Sequence, residues 1–149
     1  MPESAGRTVH ASAVLVGAKA VLIRGASGAG KSRLVLGLID AGRSGGLAFA
    51  RLVADDRVRL EAAHGRLLVS APQPIAGLVE ERGRGVMACA YEAMAVVGLV
   101  VDLDAGDAAR MPDPLALQTV VEGVIVSRLP VAPGCDPLPL VLSLLQGRR

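Results

Sequence analysis

The residues best equipped for chemistry lie in one stretch, Gly25-Ala26-Ser27-Gly28-Ala29-Gly30-Lys31-Ser32, a complete G-x-x-x-x-G-K-S pattern. Glycines at this spacing let successive backbone N–H groups turn inward around a phosphate, and a helix starting at the end of the pattern adds its positive N-terminal end. Lys31 then reaches the β- and γ-phosphates, and Ser32 offers its hydroxyl to Mg²⁺. The lysine carries weight because the chain has only two, Lys19 and Lys31, against fourteen arginines. The reading is a site for a nucleoside triphosphate with Mg²⁺. Such a loop usually works with an acidic residue at the end of a neighbouring strand. Asp55-Asp56 follow the apolar run 47–54, and Asp102 follows the run 96–101. Two adjacent carboxylates could divide the work, one near the metal and one at a hydroxyl. Asp102 leads on to Asp104 and Asp107 and reads more simply as the start of a solvated acidic loop. The N-K-x-D specificity motif of GTPases is excluded, because the chain contains no asparagine.

To present this loop the chain needs a strand before it and a helix after it, and the hydrophobic pattern supplies both. Residues 20–24 read as an apolar strand, and 31–41 carry Leu34, Val35 and Leu38 at helical spacing. Gly42, Gly45 and Gly46 are expected to stop that helix. Upstream, 8–16 read as one strand ended by Gly17; downstream, 47–53 read as a strand delivering Asp55 and Asp56. Residues 57–60 and 66–70 flank His64-Gly65 as a hairpin. Pro72 and Pro74 open a loop leading to 77–83, and 96–103 and 120–128 read as two strands separated by a Pro/Asp-rich connection. A closing helix is expected over 138–146, with Pro137 and Pro139 near its first turn. No repeat or domain boundary interrupts the pattern. The expected fold is α/β: a single P-loop kinase-type domain over residues 1–149, with a mixed β-sheet flanked mostly by antiparallel strands.

Composition narrows the function classes. At 149 residues and 52% hydrophobic, the chain is long and apolar enough to bury a core of its own. The net charge of +2 is too close to balance to argue for nucleic acid or a membrane surface. Phe49 and Tyr91 are the only aromatics, so there is no platform on which bases could stack. Cys89 and Cys135 match no metal-ligand spacing and are too few for a disulfide framework, which suits the cytoplasm. Residues 1–9 contain no apolar stretch of the kind a signal peptide needs. The longest apolar run, 93–101, is about half the length of a membrane-spanning helix.

Several ordered motifs together resemble the C-terminal catalytic domain of the HPr kinase/phosphorylase family, over about residues 10–134. His10 precedes the phosphate loop as an upstream histidine does in that family, with Ala11 where many members have glycine. Leu52-Val53-Ala54-Asp55-Asp56-Arg57-Val58 is similar to its L-V-A-D-D-x-V segment. Leu78-Val79-Glu80-Glu81-Arg82-Gly83-Arg84-Gly85-Val86 is similar to its L-x-E-x-R-G-x-G-I signature, and Pro130-Val131-Ala132-Pro133-Gly134 to its late P-V-R-P-G element. The family's N-terminal domain has no counterpart here, as in short bacterial forms. The resemblance implies ATP-dependent phosphorylation of a serine on an HPr-like phosphocarrier protein of the phosphotransferase system, and its phosphorolytic reversal. Asp56 would be the general base, with His10 beside it. Lys31 would hold the phosphates, while Ser32, Glu80 and Asp55 would ligate Mg²⁺. Arg82 would support the transfer, and Arg110 is matched to a later catalytic arginine across a variable connection. Ala132 replaces an arginine in a region that the family ties to dephosphorylation and subunit contacts, so the forward kinase reaction is the firmer expectation. Arg33 stands where an acidic residue is common. The resemblance further implies a homo-oligomer, a hexamer in the family.

Two other classes remain open on the sequence. A small-metabolite P-loop kinase would normally carry a lid with several arginines, where this chain has a Pro/Ala-rich segment near Arg110. A non-catalytic nucleotide sensor would tolerate loss of Asp56 but not of Lys31.

Overall fold

A computed structural model describes residues 6–147; the first five residues, part of the stretch read for a signal peptide, lie outside it. Eleven strands and two helices follow in chain order: β1 (Arg7–Val9), β2 (Ala11–Val16), β3 (Lys19–Arg24), α1 (Lys31–Ser44), β4 (Ala50–Ala54), β5 (Val58–Ala63), β6 (Arg66–Ser70), β7 (Leu78–Glu81), β8 (Gly85–Ala88), β9 (Met94–Asp102), β10 (Gln118–Val121), β11 (Val124–Pro130) and α2 (Pro137–Gly147). Nine strands form one sheet, whose main path runs β1-β5-β6-β9-β3-β2-β4. The nine-residue β9 is its axis. One edge of β9 runs parallel to β3; the other pairs antiparallel with β6 along its first half and parallel with β11 along its second. The expected mixed sheet with antiparallel flanks is therefore observed: of the strand pairs among the described residues, β3–β9 and β9–β11 are parallel and the others antiparallel. The β7–β8 hairpin stands apart as a two-stranded sheet.

The period-2 alternation of the strands feeds two aliphatic cores, one on each sheet face. Val14, Val21, Ile23, Leu52 and Val101 pack with Leu34, Val35 and Leu38 of α1 and with Val141 of α2. Their neighbours Ala13, Leu22, Val53 and Val100 point the other way, onto Val58, Leu60, Leu67 and Val69 of the β5–β6 hairpin. No helix among the described residues is long and apolar enough to cross a membrane.

Five expectations from the hydrophobic pattern are corrected. Residues 8–16 are two strands, because the chain changes partner at His10: β1 pairs with β5, whereas β2 pairs with β3 and β4. Helix α1 continues through Gly42 to Ser44 and stops only at Gly45, which takes φ 91°. Gly42 instead lets the helix approach β4; a Cβ there would lie 2.9 Å from the Ala50 backbone nitrogen. Strand β4 begins at Ala50 and not at Leu47, whose amide turns back to donate to the Ala41 carbonyl at 3.0 Å. The stretch 77–83 is mostly the β7 arm of a hairpin whose turn uses Gly83 and Gly85, at φ 89° and 88°. Residues 120–128 are also a hairpin, β10–β11, reversing at Glu122 and Gly123, both with positive φ. The hairpin read at His64-Gly65 is present, with φ 54° and 78° at the two turn residues, the left-handed pair that a tight two-residue turn demands.

Candidate active site

The phosphate loop leaves the C-terminal end of β3 and enters α1, in the context that its pattern predicts. Gly28 and Gly30 take φ 85° and 106°, a region costly for other residues. No side chain caps the N-terminus of α1 and its first turn holds no acidic residue, so the helix itself supplies no side-chain acceptor for its leading N–H groups. Lys31 is buried, and its Nζ donates to the carbonyls of Gly25 (2.9 Å) and Ala26 (3.2 Å).

His10 sits at the break between β1 and β2, which brings its ring over the loop. Its Nε2 lies 3.2 Å from Lys31 Nζ, 3.4 Å from Ser27 Oγ and 3.2 Å from Asp56 Oδ1. A single ring nitrogen cannot serve all three at once. Carrying a proton it donates to Asp56; without one it accepts from Lys31. The ring thus links Lys31 to the Asp56 carboxylate.

The two adjacent aspartates at the end of β4 have opposite environments. Asp55 is buried. It accepts from Ser12 Oγ (2.8 Å), from Ser32 Oγ at both oxygens (2.9 and 2.8 Å), and from the Glu80 amide (3.0 Å). Asp56 takes φ 71° and turns its half-exposed carboxylate toward His10 and the cleft. That cleft encloses about 760 Å³ and is lined by the loop, Ser32, Arg33, Asp56, and Glu80, Glu81 and Arg82 from the β7–β8 hairpin. No cluster of three or more His, Cys, Asp or Glu among the described residues could cage a metal ion by itself. The donors present are hard oxygens from Ser32, Asp55 and Glu80, the sparse set that suits Mg²⁺ shared with phosphates and water.

Of the residues singled out from the sequence, the structure gathers His10, the loop, Lys31, Ser32, Asp55, Asp56, Glu80 and Arg82. Arg110 is exposed in the connection after β9 and does not line the cleft. Asp102 is neither in the cleft nor in a solvated loop. It accepts from Arg24 (2.6 and 2.8 Å) and from Arg128 Nε (2.5 Å), and Arg128 also pairs with Asp107 (2.7 Å). Burial alone would raise the Asp102 carboxyl, but the two guanidinium groups outweigh it and hold it below the ordinary carboxylate value. Ser12 and these arginines were not singled out beforehand. A serine inside the apolar run of β2 was the available signal for Ser12; the arginines offered none, because their partner lies on another strand. Cys89 is half-buried, which pushes its thiol up, and Cys135 is exposed; neither forms a disulfide.

Residues 4–136 match the family described as the HPr Serine kinase C-terminal domain. The chain is 37% identical over 139 residues to an HPr kinase/phosphorylase of a Geobacillus species, covering 85% of this chain and 42% of the relative. It is 38% identical over 130 residues to the HPr kinase/phosphorylase of Geobacillus kaustophilus, covering 82% and 40%. The chain thus spans about two fifths of the length of these curated relatives. Its fold matches the solved Hpr(Ser) kinase/phosphatase from Coxiella burnetii with a TM-score of 0.75 at 26% identity, over 95% of this chain and 89% of that one.

Proposed function

The chain belongs to the HPr serine kinase C-terminal domain family, and from that premise we propose that it is an ATP-dependent protein-serine kinase acting on an HPr-like phosphocarrier protein. The observation that carries the reading is the line of contacts from Lys31 through His10 to Asp56, which sets a phosphate-binding cation and a carboxylate on one cleft.

Phosphoryl transfer asks little covalent chemistry of a protein, so placement and charge decide the rate. The loop amides, the start of α1 and Lys31 hold the β- and γ-phosphates of ATP. Asp56 accepts the proton of the target serine hydroxyl as its oxygen forms the new bond to the γ-phosphorus. The bond from that phosphorus to the β–γ bridging oxygen breaks, leaving phosphoserine and ADP. His10 orients the Asp56 carboxylate and keeps it in register with Lys31. Ser32 and Glu80 would hold Mg²⁺, which neutralises phosphate charge when bound. Asp55 acts through Ser32, from whose hydroxyl it accepts alongside the Ser12 hydroxyl and the Glu80 amide. Arg82, which lines the cleft, would support the transfer by its charge.

The test is incubation of the purified chain with Mg-ATP and an HPr-like carrier from the same source, read by intact mass. An acid-stable gain of one phosphate, lost in Asp56→Asn, is the expected result. ATP binding with no change in carrier mass would overturn the substrate assignment and favour a metabolite kinase or a nucleotide sensor.

A further inference from the structure

We propose that Ser12 is a positioning residue for this reaction, fixing both members of the Asp55-Asp56 pair through one hydroxyl; the inference rests on the reading of Asp56 as the base. Ser12 lies in β2 at 0% exposure, between the equally buried Ala11 and Ala13. A hydroxyl there must find partners inside the protein. It finds two, the carboxylate of Asp55 and the amide of Asp56. Ser12 Oγ donates its only proton to Asp55 Oδ1 at 2.8 Å and accepts from the Asp56 amide at 2.8 Å.

Each bond has a separate consequence. The bond to Asp55 leaves that carboxylate with a donor on either flank, Ser12 on Oδ1 and the Glu80 amide on Oδ2, with Ser32 bridging both oxygens. The Ser12 bond thereby fixes the carboxylate plane. The bond from Asp56 holds an amide whose residue sits at φ 71°, a left-handed conformation that a non-glycine residue keeps only when its surroundings impose it. If φ relaxed to negative values, the Asp56 side chain would swing off His10 and out of line with the loop. The register supports the same assignment. The β2–β4 ladder slips between Ala13 and Val14, so that Ala13 opposes Ala54 while Val14 opposes Leu52. A bulge of this kind re-aims the end of a strand, and here it delivers the aspartates over Ser12.

The experiment compares Ser12→Ala and Ser12→Thr with the wild-type chain by two readouts. Amide exchange at Asp56, followed by NMR without any substrate, is expected to speed up at least about tenfold in Ser12→Ala and to return toward wild type in Ser12→Thr. Turnover with Mg-ATP and the carrier is expected to fall about tenfold to a hundredfold in Ser12→Ala. Nucleotide affinity, from displacement of a fluorescent analogue, stays within about twofold, and Ser12→Thr recovers most of the turnover. Unchanged exchange at Asp56 overturns the proposal. So does a loss of nucleotide affinity that matches the loss of turnover, or a Ser12→Thr variant as slow as Ser12→Ala. If the wild-type chain transfers no phosphate, the kinase reading falls by itself, and the exchange readout still decides whether Ser12 anchors the pair.

Discussion

Asp55 and Asp56 are chemically identical neighbours in opposite surroundings. Asp55 is buried and accepts from three donors, while Asp56 is half-exposed with its carboxylate beside His10. Replacing Asp55 with Asn puts an NH₂ group where Ser12 and Ser32, or Ser32 and the Glu80 amide, donate, so a donor meets donors. The expected result is a loss of about 1–3 kcal/mol of stability together with weaker Mg-nucleotide binding, read by thermal melts with and without Mg-ATP. Asp56→Asn is expected to melt like the wild type and bind nucleotide equally well, yet lose about a hundredfold to ten-thousandfold in transfer. Equal behaviour of the two variants would refute this division of labour. The sequence already pointed to both carboxylates, since a D-D pair after an apolar run is visible without coordinates. It did not show which one is buried, because that depends on Ser12 and Ser32, 43 and 23 residues away.

At the level of elements, the legible features were those set by local pattern. The β3–loop–α1 unit was one, and the His64-Gly65 hairpin was another. The changes of partner were not legible: nothing between Thr8 and Val16 marks the passage from β5 to β3 and β4 except a histidine with no apolar role. Glycines misled for a related reason, since Gly42 looks like a helix stop and is instead a contact surface. Two glycines of α1 separate these roles. A Cβ on Gly37 would meet the side-chain tip of Leu138, at 2.9 Å from Cδ2, which can rotate away. A Cβ on Gly42 would meet the Ala50 backbone nitrogen at 2.9 Å, which cannot. Alanine in a helix interior gains about 1 kcal/mol over glycine, so Gly37→Ala is expected to match or exceed wild-type stability. Gly42→Ala is expected to lose about 1–2 kcal/mol net, because overpacking outweighs the helix gain. Denaturant melts of the two variants check this; equal midpoints would show that α1 does not rest on β4 as closely as described.

Across the whole molecule, the candidate active site stands at the C-terminal ends of the parallel strands, and the Arg24–Asp102–Arg128–Asp107 chain of ion pairs joins β3, β9 and β11 there. Arg24 is the residue immediately before Gly25, so this network fixes the base of the phosphate loop to the centre of the sheet. The Arg24 carbonyl accepts from the Leu103 amide at 2.9 Å, which closes the same corner through the backbone. Asp102 is mostly buried between two guanidinium groups, and its carboxyl is held below the ordinary value of about 4. A carboxyl lowered in the folded state contributes stability that is fully present above its unfolded value. That contribution is lost as pH falls through the folded one. Wild-type stability should therefore drop below about pH 4, while Asp102→Asn, which has no carboxyl to protonate, should lack that part of the drop. At pH 7 the variant is expected to be about 1–3 kcal/mol less stable, since Arg128 is left largely buried with a neutral partner at Asp102. The difference should narrow steadily in urea melts taken toward pH 3. A gap that stays constant with pH would mean that the amide costs packing and not charge, and the network would then hold the loop by shape alone.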